Sequence, residues 1–190
     1  EYSLSMWGSE VIGRPVKWIA ERSESILTDE HGRGGFVDAE LALDADHNFI
    51  ALRTHTKVPI GAYFTTDRNI GAAISGLGGL AGGYKTPNIH AMVTGTLTNI
   101  MTNAQYRGGA KPEPCHVIEV MVDQAASQLG LDAAELRLKN TVPKSAMPYR
   151  TGFGHVYDCG DFVRNFEQCL ETGGYQRFET RREDAARRSK

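Results

Sequence analysis

Apolar and polar positions along the chain follow two different periods. Val117, Ile118, Met121, Val122, Ala125 and Leu129 recur at three- and four-residue spacing, which puts them on one face of a helix. Pro112 and Glu113 suit the first turn of that helix: proline lacks an N–H that would go unused there, and a carboxylate favours the positive end of the dipole. Gly130 is a good stop. Asp132 then predicts the cap of a short helix, DAAELRLKN, with Glu135 in capping-box position. Asp161 does the same for a last helix, FVRNFEQCLETG, ended by Gly173 and Gly174. Near the start, EYSLSMWGSEVIG reads as an amphipathic segment broken by Gly13-Arg14-Pro15.

Upstream of the long helix the period shortens to two. GFVDAELAL (35–43) and FIALRTHTKV (49–58) flank a short Asp/Asn turn, which predicts an antiparallel hairpin. VKWI (16–19) predicts a short strand, and IHAMVTGTLTNIM (89–101) a third extended run. The glycine-rich stretch 71–83 fits neither common phosphate-loop pattern and predicts a tight turn or short helix packed against another backbone. Helix, strands, then helices, without a repeating βαβ unit, predicts an α+β fold of mixed or antiparallel strands followed by helices. Residues 1–175 read as one domain; 176–190, with six basic and three acidic residues, as a charged helical tail or connector.

Composition narrows the classes. With 41% hydrophobic and 23% charged residues the chain is ordinary globular material, and a net charge of −2 gives no reason to expect nucleic acid or an anionic membrane. No apolar run approaches the roughly 18 residues of a membrane span. Cys115, Cys159 and Cys169 form no close pair, which fits a reducing compartment, with the cytoplasm as the expected location, and argues against a metal site made of them alone. Six histidines without i, i+4 pairing suit turns and surfaces. Trp7 and Trp18 read as core or interface aromatics, and Asp158 and Asp161 as helix-cap residues. A chain that opens on Glu1 inside an amphipathic segment reads as an internal piece.

Candidate chemistry concentrates in Gln105–Glu113, QYRGGAKPE, which joins a strand to a helix start. Small residues there let backbone amides approach a ligand, the helix start favours negative charge, and Arg107 and Lys111 add positive charge. Arginine can also hold an oxyanion through two parallel hydrogen bonds. On the residues alone, the loop is either a structural turn or a cradle for an oxyanion or a cofactor phosphate.

YRGGAKPE resembles the Y-R-G-x-G-R-P-E loop of molybdenum hydroxylase large subunits, the family of xanthine dehydrogenase, aldehyde oxidase and carbon monoxide dehydrogenase. GRPVKWIAERSE, DAELALDAD, FIALR, YKTPNI, GLDAAELRLKN and MPYRTGFGHVYDCGDF are similar to family segments in the same order, so the resemblance covers nearly the whole chain. It implies part of the first molybdenum-cofactor-binding domain, holding a molybdenum–pterin group (molybdopterin or its cytosine dinucleotide). It also implies hydroxylation of an aldehyde or N-heterocycle with water as oxygen source, and 2Fe-2S and FAD centres on partner subunits or domains. The implied partners are the rest of the large subunit, the FAD-binding and iron–sulfur subunits and a small-molecule substrate.

By position, the resemblance places Arg107 and Gly108 at the molybdenum centre with Tyr106 and Gly109 as neighbours, cofactor-binding but not bonded to the metal. The carbon monoxide-oxidising branch has cysteine where Gly108 stands, which argues against that substrate. Xanthine-oxidising members have an aromatic residue where Gly109 stands. Lys111 replaces an arginine and loses bidentate recognition. The family's general-base glutamate is expected outside this chain, so no catalytic residue is expected within it and the isolated chain is expected to be inactive. The alternative is a non-catalytic binding or interaction module that keeps the family fold.

Overall fold

A computed structural model describes residues 2–109 and 111–188. Two helices, α1 (Tyr2–Ile12) and α2 (Arg22–Thr28), precede the hairpin of β1 (Phe36–Leu43) and β2 (Phe49–Gly61). A crossover with α3 (Arg68–Ile74) and a 3-10 turn (Leu77–Ala81) leads to β3 (Asn88–Leu97). Helices α4 (Pro112–Leu129) and α5 (Ala133–Asn140) follow, then a small hairpin of β4 (Tyr149–Arg150) and β5 (Val156–Tyr157), and finally α6 (Phe162–Thr172) and α7 (Phe178–Arg188). The fold is α+β, as expected.

The sheet has the order β1-β2-β3 and is mixed: β1 pairs antiparallel with β2, and β3 parallel with β2. A parallel neighbour needs a crossover, which the segment between β2 and β3 supplies. Alternation sorts the two faces. Leu41, Leu43, Leu52 and Ile89 pack toward α4, while Glu40 with Arg53 and Asp38 with Lys57 pair across the strands. The hairpin turn closes on the Asp44 carboxylate, which accepts from the Asp46 and Asn48 amides, with His47 at φ +62.

The core joins Phe49 and Leu52 to Leu80, Tyr84, Ile118, Val122, Ala126 and Leu136. Phe49 and Tyr84 meet edge to face at 5.5 Å. Helix α4 buries Pro114, Ile118, Val122 and Ala126, a four-residue repeat. The expected apolar face is therefore right at its centre and drifts at its end, where Leu129 is exposed and Ala126 takes the buried place. Tyr84 donates to Glu119, which with Asp123 holds Arg137 of α5, locking the 3-10 turn, α4 and α5 together.

Helix ends agree with the sequence where a cap was visible. Gly130 adopts φ +67 after α4, Asp132 accepts from the Ala134 and Glu135 amides, and Asp161 accepts from the Arg164 amide. Among the described residues Glu135 returns no bond to its cap; Glu24 of α2 does accept from the Glu21 amide. Asp158 lies outside the α6 cap. The glycine-rich stretch forms a short packed helix, as expected: a Cβ on Gly79 would come within 3.0 Å of Pro114.

Two expectations fail. Val16–Ile19 is not a strand: it pairs with no neighbour, and its side chains are exposed, so β-propensity alone does not order it. The third extended run stops at Leu97, because the chain turns there: Thr98 donates to Gly61 and Ala62 to Ile100. Of the two roles expected for Trp7 and Trp18, core or interface, their exposure leaves the interface. The charged tail is helical through Arg188, with its acidic and basic side chains pairing along α7. Among the described residues no helix is long and apolar enough to cross a membrane.

Candidate functional site

The loop between β3 and α4 is placed by strand-like pairing with an upstream segment. His31 donates to Thr102 and Ala104 donates back to His31, each at 2.9 Å, so residues 31–34 run beside residues 102–106. Asn69, fully buried in the first turn of α3, accepts from the Thr65 and Thr66 amides just before the helix and donates to the Asn103 carbonyl at 2.6 Å. The crossover is thereby tied to the same segment.

Within the loop, Gly109 donates to Tyr106 at 2.9 Å and Lys111 to Gly108 at 3.1 Å, two turns that hand the chain on to α4. Gly108 and Gly109 have φ +97 and +53, a region that residues with a Cβ enter at a cost. Ser75, at the end of α3, donates to the Gly109 carbonyl. Ala110 lies outside the described residues.

Arg33 is the side chain that meets this loop most closely. One guanidinium nitrogen donates to the Arg107 carbonyl at 2.6 Å and another to the Glu113 carboxylate at 2.9 Å. The guanidinium also sits 5.3 Å from the centre of the Tyr106 ring, within cation–π reach. Sequence reasoning missed Arg33. The signal was an arginine between Gly32 and Gly34-Gly35, a run that predicts unusual backbone, and Arg33 itself has φ +60.

The four residues expected to bind a cofactor are adjacent but not equivalent. Tyr106 lines a cavity of about 390 Å³ under the loop, together with Arg33, Asn103, Gln105, Glu113 and an apolar wall that includes Val37, Val58, Leu80 and Val117. Arg107, Gly108 and Gly109 lie outside that lining, with the Arg107 side chain exposed. Among the described residues no carboxylate pairs with the Arg107 guanidinium.

Two acceptors at the cavity have nothing to bond. Asn103 Oδ1, on a residue only 4% exposed, and Glu113 Oε2 are buried without a partner. A buried acceptor left unmade is costly, so each points to a donor that the described residues do not supply. The site thus offers an uncommitted guanidinium beside a helix start, which suits an anion, and the buried Asn103 acceptor in an apolar cavity, which suits an N–H of a flat heterocycle. A pterin that carries a phosphate and an anionic metal centre needs both features, and these residues fit it. His31, His47, His55, His90, His116 and His155 do not gather: among the described residues no group of three or more His, Cys, Asp or Glu is placed to hold a metal ion.

A family model described as molybdopterin cofactor-binding domain matches residues 1–141. The chain is 36% identical, over 99% of its length, to the carbon monoxide dehydrogenase large chain of Hydrogenophaga pseudoflava. It is 27% identical, over its whole length, to the nicotine 6-hydroxylase large subunit of Paenarthrobacter nicotinovorans. The fold superposes on quinoline 2-oxidoreductase from Pseudomonas putida 86 with a TM-score of 0.88 at 28% identity, covering 97% of this chain and 24% of that one. For reconstituted CO dehydrogenase from Oligotropha carboxidovorans the TM-score is 0.86 at 27% identity, covering 99% and 24%. The chain spans 23% of the length of both curated relatives.

Proposed function

The chain belongs to the molybdopterin cofactor-binding domain family, and from that premise we propose that its Tyr106–Gly109 loop forms one wall of a molybdenum–pterin site in a hydroxylase large subunit. On this reading residues 1–175 are part of the first cofactor domain and 176–190 a connector. The bound group supplies oxygen transfer to, and electron removal from, an aldehyde or N-heterocycle, with 2Fe-2S and FAD centres on partner subunits or domains taking the electrons.

The chain's own part is binding and electrostatics. The Arg107 guanidinium holds negative charge on the cofactor or substrate, and donors fixed in advance stabilise charge that develops during reaction. The small residues at 108 and 109 leave room for close approach. The Asn103 side-chain oxygen accepts a hydrogen bond from the heterocycle, and Tyr106 closes the apolar cavity. No carboxylate of this chain takes the role of general base, so the isolated chain is inactive, short of a proton-transfer factor of about 10² to 10⁴.

Carbon monoxide is not the substrate on this reading. The CO dehydrogenase of this fold is a Cu,Mo enzyme, and soft thiolate ligands favour copper(I). Tyr106, Arg107, Gly108 and Gly109 carry no thiol.

The observation that carries the proposal is the Arg107 guanidinium, free of any carboxylate among the described residues while its own carbonyl is pinned by Arg33. The test is Arg107→Ala in the full-length large subunit assembled with its partners. Loss of one preorganised donor lowers kcat by roughly 10² to 10³, with molybdenum and pterin content measured alongside. Unchanged content together with unchanged turnover would remove the loop from the site. A purified assembly holding no molybdenum at all would favour the non-catalytic module.

A further inference from the structure

The loop carries two opposite charges a few residues apart, and their pairing decides which of them a ligand meets. Glu113 lies in the first turn of α4, where a carboxylate is stabilised by the helix but would oppose any anion held by Arg107. It would also offer Arg107 and Lys111 an internal partner. Instead Glu113 is engaged by Arg33 at 2.9 Å, the two side chains 37% and 41% exposed.

Arg33 does more than neutralise. Its second nitrogen holds the Arg107 carbonyl at 2.6 Å, and its central carbon lies over the Tyr106 ring, 5.3 Å from its centre. A planar fork can serve two acceptors and stack at once, which a lysine ammonium cannot. The backbone around it is shaped for this contact: Arg33 is one of two non-glycine residues with positive φ among the described residues, and a Cβ on Gly32 would come within 2.7 Å of the Tyr106 Cβ. A left-handed arginine persists only where its surroundings hold it there.

We infer that Arg33 is a positioning residue for the cofactor loop: it pins the Arg107 backbone and occupies Glu113, so that the Arg107 guanidinium stays free for the anionic part of the cofactor. This rests on the function proposed above and adds to it a residue outside the loop with a stated electrostatic task.

The test uses the full-length large subunit with its partner subunits. Arg33→Met keeps the stem and removes the charge. Losing a residue that orients a metal-binding group typically costs about 10- to 100-fold in affinity or activity, so molybdenum and pterin content should fall about 10-fold, while the melting temperature reports any general damage. Adding Glu113→Gln to Arg33→Met removes the charge that Arg33 had neutralised and should restore cofactor content to within about twofold of wild type, a coupling between neighbours that a merely structural role would not give. Arg33→Lys keeps the charge without the fork; it should retain cofactor yet lower kcat, with substrate KM little changed.

Wild-type cofactor content and kcat in Arg33→Met would overturn the inference, as would a double variant that loads no better than Arg33→Met. Should Arg33→Met not fold, Arg33→Lys decides: an unchanged kcat counts against the role. Arg107→Ala separates the two levels. If it too has no effect, the loop reading fails; if it has its effect and the Arg33 variants have none, only this inference fails.

Discussion

Two aspartates show how single side chains set the response to acid. Hydrogen bonds from the Asn48 side chain and amide hold the Asp44 carboxyl below its ordinary value of 3.8. At Asp132 partial burial pushes upward, but donation from the Glu135 amide, the Tyr175 hydroxyl and the Ala134 amide outweighs it and the net shift is also downward. Because both are lower in the folded chain, the unfolded chain binds protons more readily; their stabilisation is present above pH 3.8 and is lost as pH falls through the folded values. Replacing both by asparagine should therefore flatten the fall in melting temperature below about pH 4, measured by circular dichroism from pH 7 down to pH 3. An unchanged acid slope would show that other carboxylates dominate. Asp132 was legible as a cap because the chemistry is local. Asn140 was not: its buried amide accepts from the Phe49 amide and donates to the His47 and Leu136 carbonyls, and two of those partners are more than ninety positions away. Arg33 was hidden for the same reason, its partners at 107 and 113 being distant in sequence.

Helix α4 is the element on which both core and site depend. It brings Ile118 and Val122 to the centre of the core and presents its first turn to the Tyr106–Gly109 loop. Truncating Ile118 to alanine should destabilise the fold by roughly 2–5 kcal/mol, the range for large aliphatic side chains in cores, and chemical denaturation would measure it. A loss well under 1 kcal/mol would mean that the core closes over the gap. The periodic spacing, Pro112 and Gly130 made this helix readable from end to end. The VKWI segment had only propensity in its favour, and a strand needs a partner edge that nothing in its own residues specifies. The parallel pairing of β2 with β3 was equally out of reach, since alternation tells which face is buried and not which strand lies alongside.

At the scale of the whole molecule, the N-terminal part stands apart from the core. α1 and α2 bury no residue, and Trp7, Ile12, Ile19 and Leu27 are among the exposed apolar side chains. Apolar surface of this extent marks an interaction face, and the relatives are about four times as long as this chain. The isolated chain should therefore self-associate, giving a concentration-dependent mass in sedimentation equilibrium; a monodisperse monomer with a high melting temperature would contradict this. The resemblance reached the family because several short segments recur in order. The Arg33 contacts close chords of 74 and 80 residues that enclose both the hairpin and the crossover. Closing long chords costs more chain entropy than closing local turns, so a defect anywhere in that stretch is felt at the loop, and cofactor content would report on the folding of the whole first half of the chain.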